Sequence, residues 1–307
     1  MSVFIGPHGL RSGWRFLIFV SFAAVLALLL GLGAHFSERL FGKDVADVLQ
    51  NFVLAVTVLS AMWLMGKVEG RPVWNCGFAA PNGDRNLASG LAAGILALSV
   101  LMGLLVAAGA YKPGPPLLRG IAVLEWGLYW ALLFIGVALS EESAIRSYPL
   151  FSISQGIGFW PAALILSVVF GAGHLGNRGE EWIGIANAML AGLVLAYSVK
   201  WTGSLWWAIG YHMSWDWGES FFYGVADSGN LAHHRFLSFQ PKGAGWLSGG
   251  GVGPEGSVLA TLILLSLIAV VRLTAPHWHN PALDRLRPVP PPLPVEDAEN
   301  PGGVPVA

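Results

Sequence analysis

Residues 86–111 read NLASGLAAGILALSVLMGLLVAAGAY, a run without one charged side chain. A helix needs about 20 apolar residues to cross the roughly 30 Å hydrocarbon core of a bilayer, and this run is long enough. Charge-free runs of the same kind cover Phe16–Ala34, Val48–Gly66, Ser147–Gly173 and Trp182–Val199. Gly256–Val271 is shorter but almost wholly aliphatic, and Arg272 at its end can snorkel to the interface. Two further segments carry charge inside any window of spanning length. The stretch after Arg119 encloses Glu125, or Glu141 with Glu142, and the stretch after Lys200 encloses Asp216. Counting both, the sequence predicts eight helices, at about 15–34, 45–66, 87–110, 120–154, 159–177, 182–200, 204–223 and 256–273. The expected fold is an all-α polytopic membrane bundle around a polar cavity.

Composition agrees. Of 307 residues, 54% are hydrophobic and 11% charged, against roughly 25% charged in a soluble domain. A soluble enzyme is excluded. The net charge of -1 leaves no excess of Lys and Arg to displace counterions, so nucleic acid is not an expected partner; the lipid bilayer is. Cys76 is the sole cysteine, so neither an intramolecular disulfide nor a Cys-based zinc site can form. Arg11 and Arg15 precede the first apolar stretch, which is too long for a signal-peptide core and lacks an A-x-A cleavage site; it reads as an uncleaved span. Trp14, Trp182 and Trp201 lie near span ends, as an aromatic belt requires.

The helical domain is expected over 1–275, and nine of 19 prolines fall between Pro276 and Pro305. That composition cannot bury a core, so 276–307 reads as a disordered cytoplasmic tail. The loop Gly224–Glu255 is Gly-rich near its end but lacks the Lys-Ser/Thr of a phosphate cradle.

Three short stretches carry chemistry. The first is Glu141-Glu142-Ser143-Ala144-Ile145-Arg146. An ionisable residue at the centre of a span costs about 2.5–3.5 kcal/mol, so two adjacent glutamates need a reason. Glu142 and Arg146 are spaced for an intrahelical ion pair, which leaves Glu141 rotated about 100° away. The second stretch is Phe170-Gly171-Ala172-Gly173-His174. A turn at Gly156–Gly158 puts Glu141 about 24 Å of helix before it and His174 about as far after it, at similar depth. Gly171 and Gly173 would permit close backbone approach. The third is His212-Met213-Ser214-Trp215-Asp216, which aims an imidazole and a carboxylate from one helix face. Glu219 follows, as a second partner or a boundary residue. Taken singly, these stretches could be a boundary charge cluster, an interhelical histidine and a self-satisfied pair. Jointly they place two carboxyls and two imidazoles in an apolar bundle, a set able to activate water. The H-E-x-x-H, G-x-S-G and paired G-x-G-D signatures of other membrane proteases are absent.

E-E-x-x-x-R, then F-x-x-x-H, then H-x-x-x-Asn/Asp, in this order on an eight-span chain, resembles the CAAX protease and bacteriocin-processing (CPBP, or Abi) family of intramembrane endopeptidases, which includes the type II CAAX prenyl endopeptidases. The resemblance covers about Gly120 to Asp216. It implies that Glu141 is the catalytic glutamate and His174 its partner in activating water. His212 and Asp216 are similar to the oxyanion pair, and Glu142 and Arg146 to supporting residues. Asp216 stands where the best understood members have Asn. An ionised Asp accepts but does not donate, so Asp216 is either protonated or orients His212. The resemblance implies a membrane-embedded protein or peptide as substrate and no cofactor. A divalent metal such as zinc on His174, His212 and Glu141 is the metal-dependent alternative. A proton-coupled transporter or a bacteriocin-immunity protein is the non-enzymatic one.

With the N-terminus inside, Arg39, Lys43, Lys112, Arg119, Arg178, Arg235 and Lys242 lie outside and the other ten of 17 Lys and Arg inside. This bias places both termini in the cytoplasm, and the absence of targeting signals suits a bacterial inner membrane. A topology reporter fused after Ala307 is therefore expected to be active on the cytoplasmic side only; an extracytoplasmic readout would overturn the orientation.

Overall fold

The structure, a computed structural model, describes residues 3–6 and 8–284. It is a helical bundle. In hydrocarbon every backbone N–H and C=O must be satisfied within the segment, which leaves the helix as the solution for apolar runs of this length. The helices are α1 (Ser12–His35), the short α2 (Ser37–Phe41), α3 (Lys43–Glu69), α4 (Gly83–Ala107), α5 (Ile121–Arg146), α6 (Tyr148–Ile157), α7 (Phe159–Gly173), α8 (Trp182–Thr202), α9 (Trp206–Trp217), the short α10 (Gly245–Ser248) and α11 (Val258–Thr274). Among the described residues, five segments are long and apolar enough to cross a membrane: 12–31, 43–69, 83–107, 121–157 and 182–202. The apolar helices α7 and α11 are shorter.

All eight expected segments are helical, with three differences at their ends. The helix expected over 120–154 is broken. Ser147 leaves the helical region (φ -95°, ψ -121°), and Pro149, which has no N–H to continue the ladder, starts α6. The helix expected to reach 177 stops at Gly173, so that His174 caps it. Beyond α9 the chain continues as a π-helical turn, Gly218–Tyr223. The turn between α6 and α7 forms at Gly158, whose φ of 92° only glycine adopts without strain.

Close approach of α4 and α9 shapes the centre of the bundle. A Cβ on Gly90 would lie 2.3 Å from the Trp207 carbonyl oxygen, one on Gly94 2.4 Å from that of Tyr211, and one on Gly210 2.5 Å from that of Leu87. Gly90 and Gly94 form a small-xxx-small face against which the α9 backbone lies flush. Gly171 packs α7 on α8 near Met189, whereas Gly173 has no neighbour within 4 Å and makes no close contact.

At the far end of the bundle from the cavity described below, Arg15 of α1 donates to Gln155 of α6 (2.8 Å). Glu69 of α3 gathers Arg15, Arg71 and Tyr148. The chain after α11 docks there too. Asn280 is buried and donates to the carbonyls of Asn75 and Gly203 (3.0 Å each), and Gln155 donates to that of Ala282 (3.0 Å). The segment from Pro276, expected to be disordered, is placed against the bundle as far as residue 284, because Leu283 buries its side chain in the core while Asn280 and Gln155 supply hydrogen bonds. Its remainder, 285–307, lies outside the described residues.

Gly94→Ala forces a methyl into backbone, whereas Gly103→Ala on the same helix meets nothing within 4 Å. Overpacking costs about 1–3 kcal/mol. Thermal unfolding in detergent is expected to show Gly94→Ala clearly destabilised and Gly103→Ala equal to or above wild type; equal behaviour would contradict the tight α4–α9 contact.

Candidate active site

Glu142 and Arg146 lie one turn apart on α5, with Arg146 Nη1 2.6 Å from Glu142 Oε1 and both side chains fully buried. The expected intrahelical pair is present. The same Oε1 also accepts a hydrogen bond from His212 Nδ1 of α9 at 2.8 Å, a contact not anticipated from spacing. The Arg146 guanidinium lies 4.2 Å from the centre of the Phe170 ring, a cation–π contact that covers its other side. Phe170 also packs edge-on against His212 and at a tilt against His174. One aromatic ring on α7 therefore separates and orders three polar groups.

Glu141 turns the other way. Its side chain is 44% exposed, against 0% for Glu142. It lines a cavity of about 510 Å³ together with His174, His212, Asp216, Phe170 and Trp215, a volume within the range of small-molecule and peptide sites. His212 Nε2 points into this cavity, 3.3 Å from Asp216 Oδ2 and 3.8 Å from Glu141 Oε2. His174 Nδ1 is 2.8 Å from the Phe170 carbonyl oxygen. A carbonyl can only accept, so Nδ1 carries the proton and Nε2 is left as an acceptor. Thus Glu141, Glu142, Arg146, His212 and Asp216 are in direct contact. His174 lines the same cavity without a hydrogen bond to the other five.

Other polar groups here had no local sequence signal. Asn187 of α8 donates to the carbonyls of Glu255 (2.8 Å) and Ser257 (2.9 Å) and accepts from Thr261 (2.7 Å), tying α8 to the start of α11. Its polarity within the charge-free run 182–199 was the available clue. Asp227 and Glu255, 28 residues apart in the loop before α11, also line the cavity. Burial raises both carboxyls above the usual range, with repulsion from Glu255 adding at Asp227 and repulsion from Asp216 adding at Glu255. His233, which lines the cavity, lies 3.0 Å from Asp44 of α3 and His234 stacks on Trp126 of α5, so this pair fastens the loop to α3 and α5. Among the described residues, the His, Asp and Glu side chains whose ligand atoms converge within 4.8 Å are Glu219, Asp227 and Glu255, not His174, His212 and Glu141.

Residues 123–218 match the family described as Type II CAAX prenyl endopeptidase Rce1-like. The matched stretch contains all seven residues of the three motifs, so the resemblance read from those motifs is matched by the family comparison over the same segment. It supports a membrane protease of the CAAX type. No curated protein and no solved structure matches the chain.

Removing the charge of Glu142 strands a buried guanidinium, which costs about 3–5 kcal/mol. Glu142→Gln is expected to lower thermal stability in detergent strongly, and Glu142→Gln/Arg146→Met to recover much of it. A single variant as stable as wild type would mean that Arg146 has another adequate counter-charge.

Proposed function

We propose that the protein is an intramembrane endopeptidase that hydrolyses a peptide bond of a membrane-associated protein or peptide, with a water activated by Glu141 and His174. The observation that carries this reading is the division of labour between adjacent glutamates: Glu142 is sealed against Arg146 and His212, while Glu141 stands open in the cavity wall. A carboxylate that is not tied up in an ion pair and can reach a water in the cavity is positioned to act as a general base.

In the proposed reaction the water oxygen attacks the scissile carbonyl carbon as Glu141 takes its proton. His174 Nε2, free to accept because Nδ1 is given to Phe170, orients the same water. The oxyanion faces His212 Nε2 and Asp216. A donor proton there comes from the imidazolium of His212 or from a protonated Asp216. When the tetrahedral intermediate collapses, the Glu141 carboxyl returns the proton to the leaving amine. Glu142 is a positioning residue, since it fixes which nitrogen His212 presents. The scheme uses no metal. We further propose that both termini are cytoplasmic, in a bacterial inner membrane, with the cavity opening on the opposite side.

The test compares peptides released from native membranes by purified wild type and Glu141→Gln, read by mass spectrometry. The substitution keeps the shape and is expected to reduce release by about 10²–10⁴-fold, the usual contribution of a general base. Near-normal release from well-folded Glu141→Gln would remove Glu141 from the mechanism. A transition-metal chelator is expected to leave wild type active; loss of activity would transfer the reading to a zinc centre on His174, His212 and Glu141.

A further inference from the structure

We propose that Glu219, Asp227 and Glu255 form a binding site for a hard divalent cation of the calcium class in the wall of the same cavity. The three carboxylates come from separate pieces of chain. Glu219 lies in the π-helical turn after α9, Asp227 in the hairpin formed by Ala226–Asp227 and Asn230–Leu231, and Glu255 in the 3₁₀ turn Pro254–Gly256 before α11. One oxygen from each lies within 4.8 Å of the others.

Carboxylates cluster on many surfaces without a ligand, and the distinguishing feature here is Glu219. Its side chain is 0% exposed, it points at the other two, and neither of its oxygens has a hydrogen-bond partner among the described residues. The Trp215 indole N–H faces it as a weak donor outside ordinary hydrogen-bond geometry. A buried carboxylate left so opposes folding unless something neutralises it. No Lys, Arg or His among the described residues forms an ion pair with any of the three carboxylates.

The other two carboxylates are held as ligands are held. Asp227 Oδ2 accepts from the Ser220 hydroxyl (3.0 Å), and Glu255 Oε1 accepts from the Ser228 amide (2.9 Å) and hydroxyl (3.0 Å). One oxygen of each is thereby anchored, and no hydrogen bond among the described residues takes the second. Orientation by outer hydrogen bonds is how ligating carboxylates are fixed. An all-oxygen donor set without nitrogen or sulfur selects Ca²⁺, Mg²⁺ or Mn²⁺ over zinc or copper. Ca²⁺–oxygen distances of about 2.3–2.6 Å let one ion reach oxygens up to about 5 Å apart, which covers the whole range within 4.8 Å, whereas Mg²⁺ at about 2.0–2.1 Å reaches only about 4 Å. Calcium is the better fit. Bound there, it joins the end of α9 to the hairpin and to the start of α11, independently of the role of Glu141.

The test uses the full-length protein in detergent, stripped with EGTA, with CaCl₂ as the probe. Wild type is expected to bind Ca²⁺ by calorimetry with a Kd in the range of about 10⁻⁵–10⁻³ M and to unfold at a higher temperature when it is added. Mg²⁺ is expected to have a smaller effect. Glu219→Gln is expected to weaken Ca²⁺ binding at least about tenfold and to lose the thermal shift, while its EGTA-treated form is at least as stable as EGTA-treated wild type because the buried charge is gone. Asp227→Asn and Glu255→Gln provide the same reading if Glu219→Gln folds poorly. Glu141→Gln lies outside the cluster and is expected to bind Ca²⁺ like wild type. Absence of a Ca²⁺-dependent shift in wild type, or a shift unchanged in Glu219→Gln and Asp227→Asn, would overturn the site and leave three carboxyls that share protons.

Discussion

Oε1 of Glu142 accepts from two partners at once, Arg146 on its own helix and His212 across the bundle. In an apolar interior a carboxylate needs such partners, and each partner needs it in return. The arrangement constrains three helices. α5 must turn its Glu142 face toward α9, and α9 must come close enough for an imidazole to reach that face. Gly90 and Gly94 of α4 let α9 settle deep in the bundle. α7 is included because Phe170 covers the guanidinium and its carbonyl holds His174. The three motifs thus work as one contact network, with Phe170 and Glu142 as the shared members.

Much of this was legible beforehand, for a simple reason. Charge-free runs of spanning length have one structural outcome in a bilayer, so the helices were readable from charge alone. The turn at Gly158 was readable from its glycines, and the Glu142–Arg146 pair from i,i+4 spacing. What the spacing could not supply was contact between helices. Nothing local to Glu142 announces His212, 70 residues away. The break at Ser147 was hidden because it falls where one charge-free run begins directly after Arg146, although the proline itself was a usable sign. Residues 276–284 misled through composition: proline-rich chain cannot build a core by itself, yet Leu283 inserts into one already built and Asn280 and Ala282 add hydrogen bonds. Glu219, Asp227 and Glu255 converge through loop closure, which leaves no periodic trace in the sequence.

Helix α9 and its π-helical extension connect the reaction site to the proposed cation site. His212, Asp216 and Glu219 follow at spacings of four and three, so all three lie toward one face within about two turns. At the first of these positions α9 is fixed by Glu142. At the last, Glu219 is buried, and among the described residues no hydrogen bond of ordinary geometry fixes it. A π-turn is a rare way to end a helix and is frequent at functional sites. Here it carries Glu219 into the acidic cluster and Ser220 to Asp227. A divalent charge on that cluster would hold the second end of the segment as Glu142 holds the first. Asp216 lies between the two anchors, and its distance to His212 Nε2 depends on both. It would also offset part of the repulsion that Asp227 and Glu255 exert on Asp216. The proposed oxyanion pair, His212 and Asp216, would then be preorganised by charges on either side of it along the chain, so that little reorganisation is left for the moment of reaction.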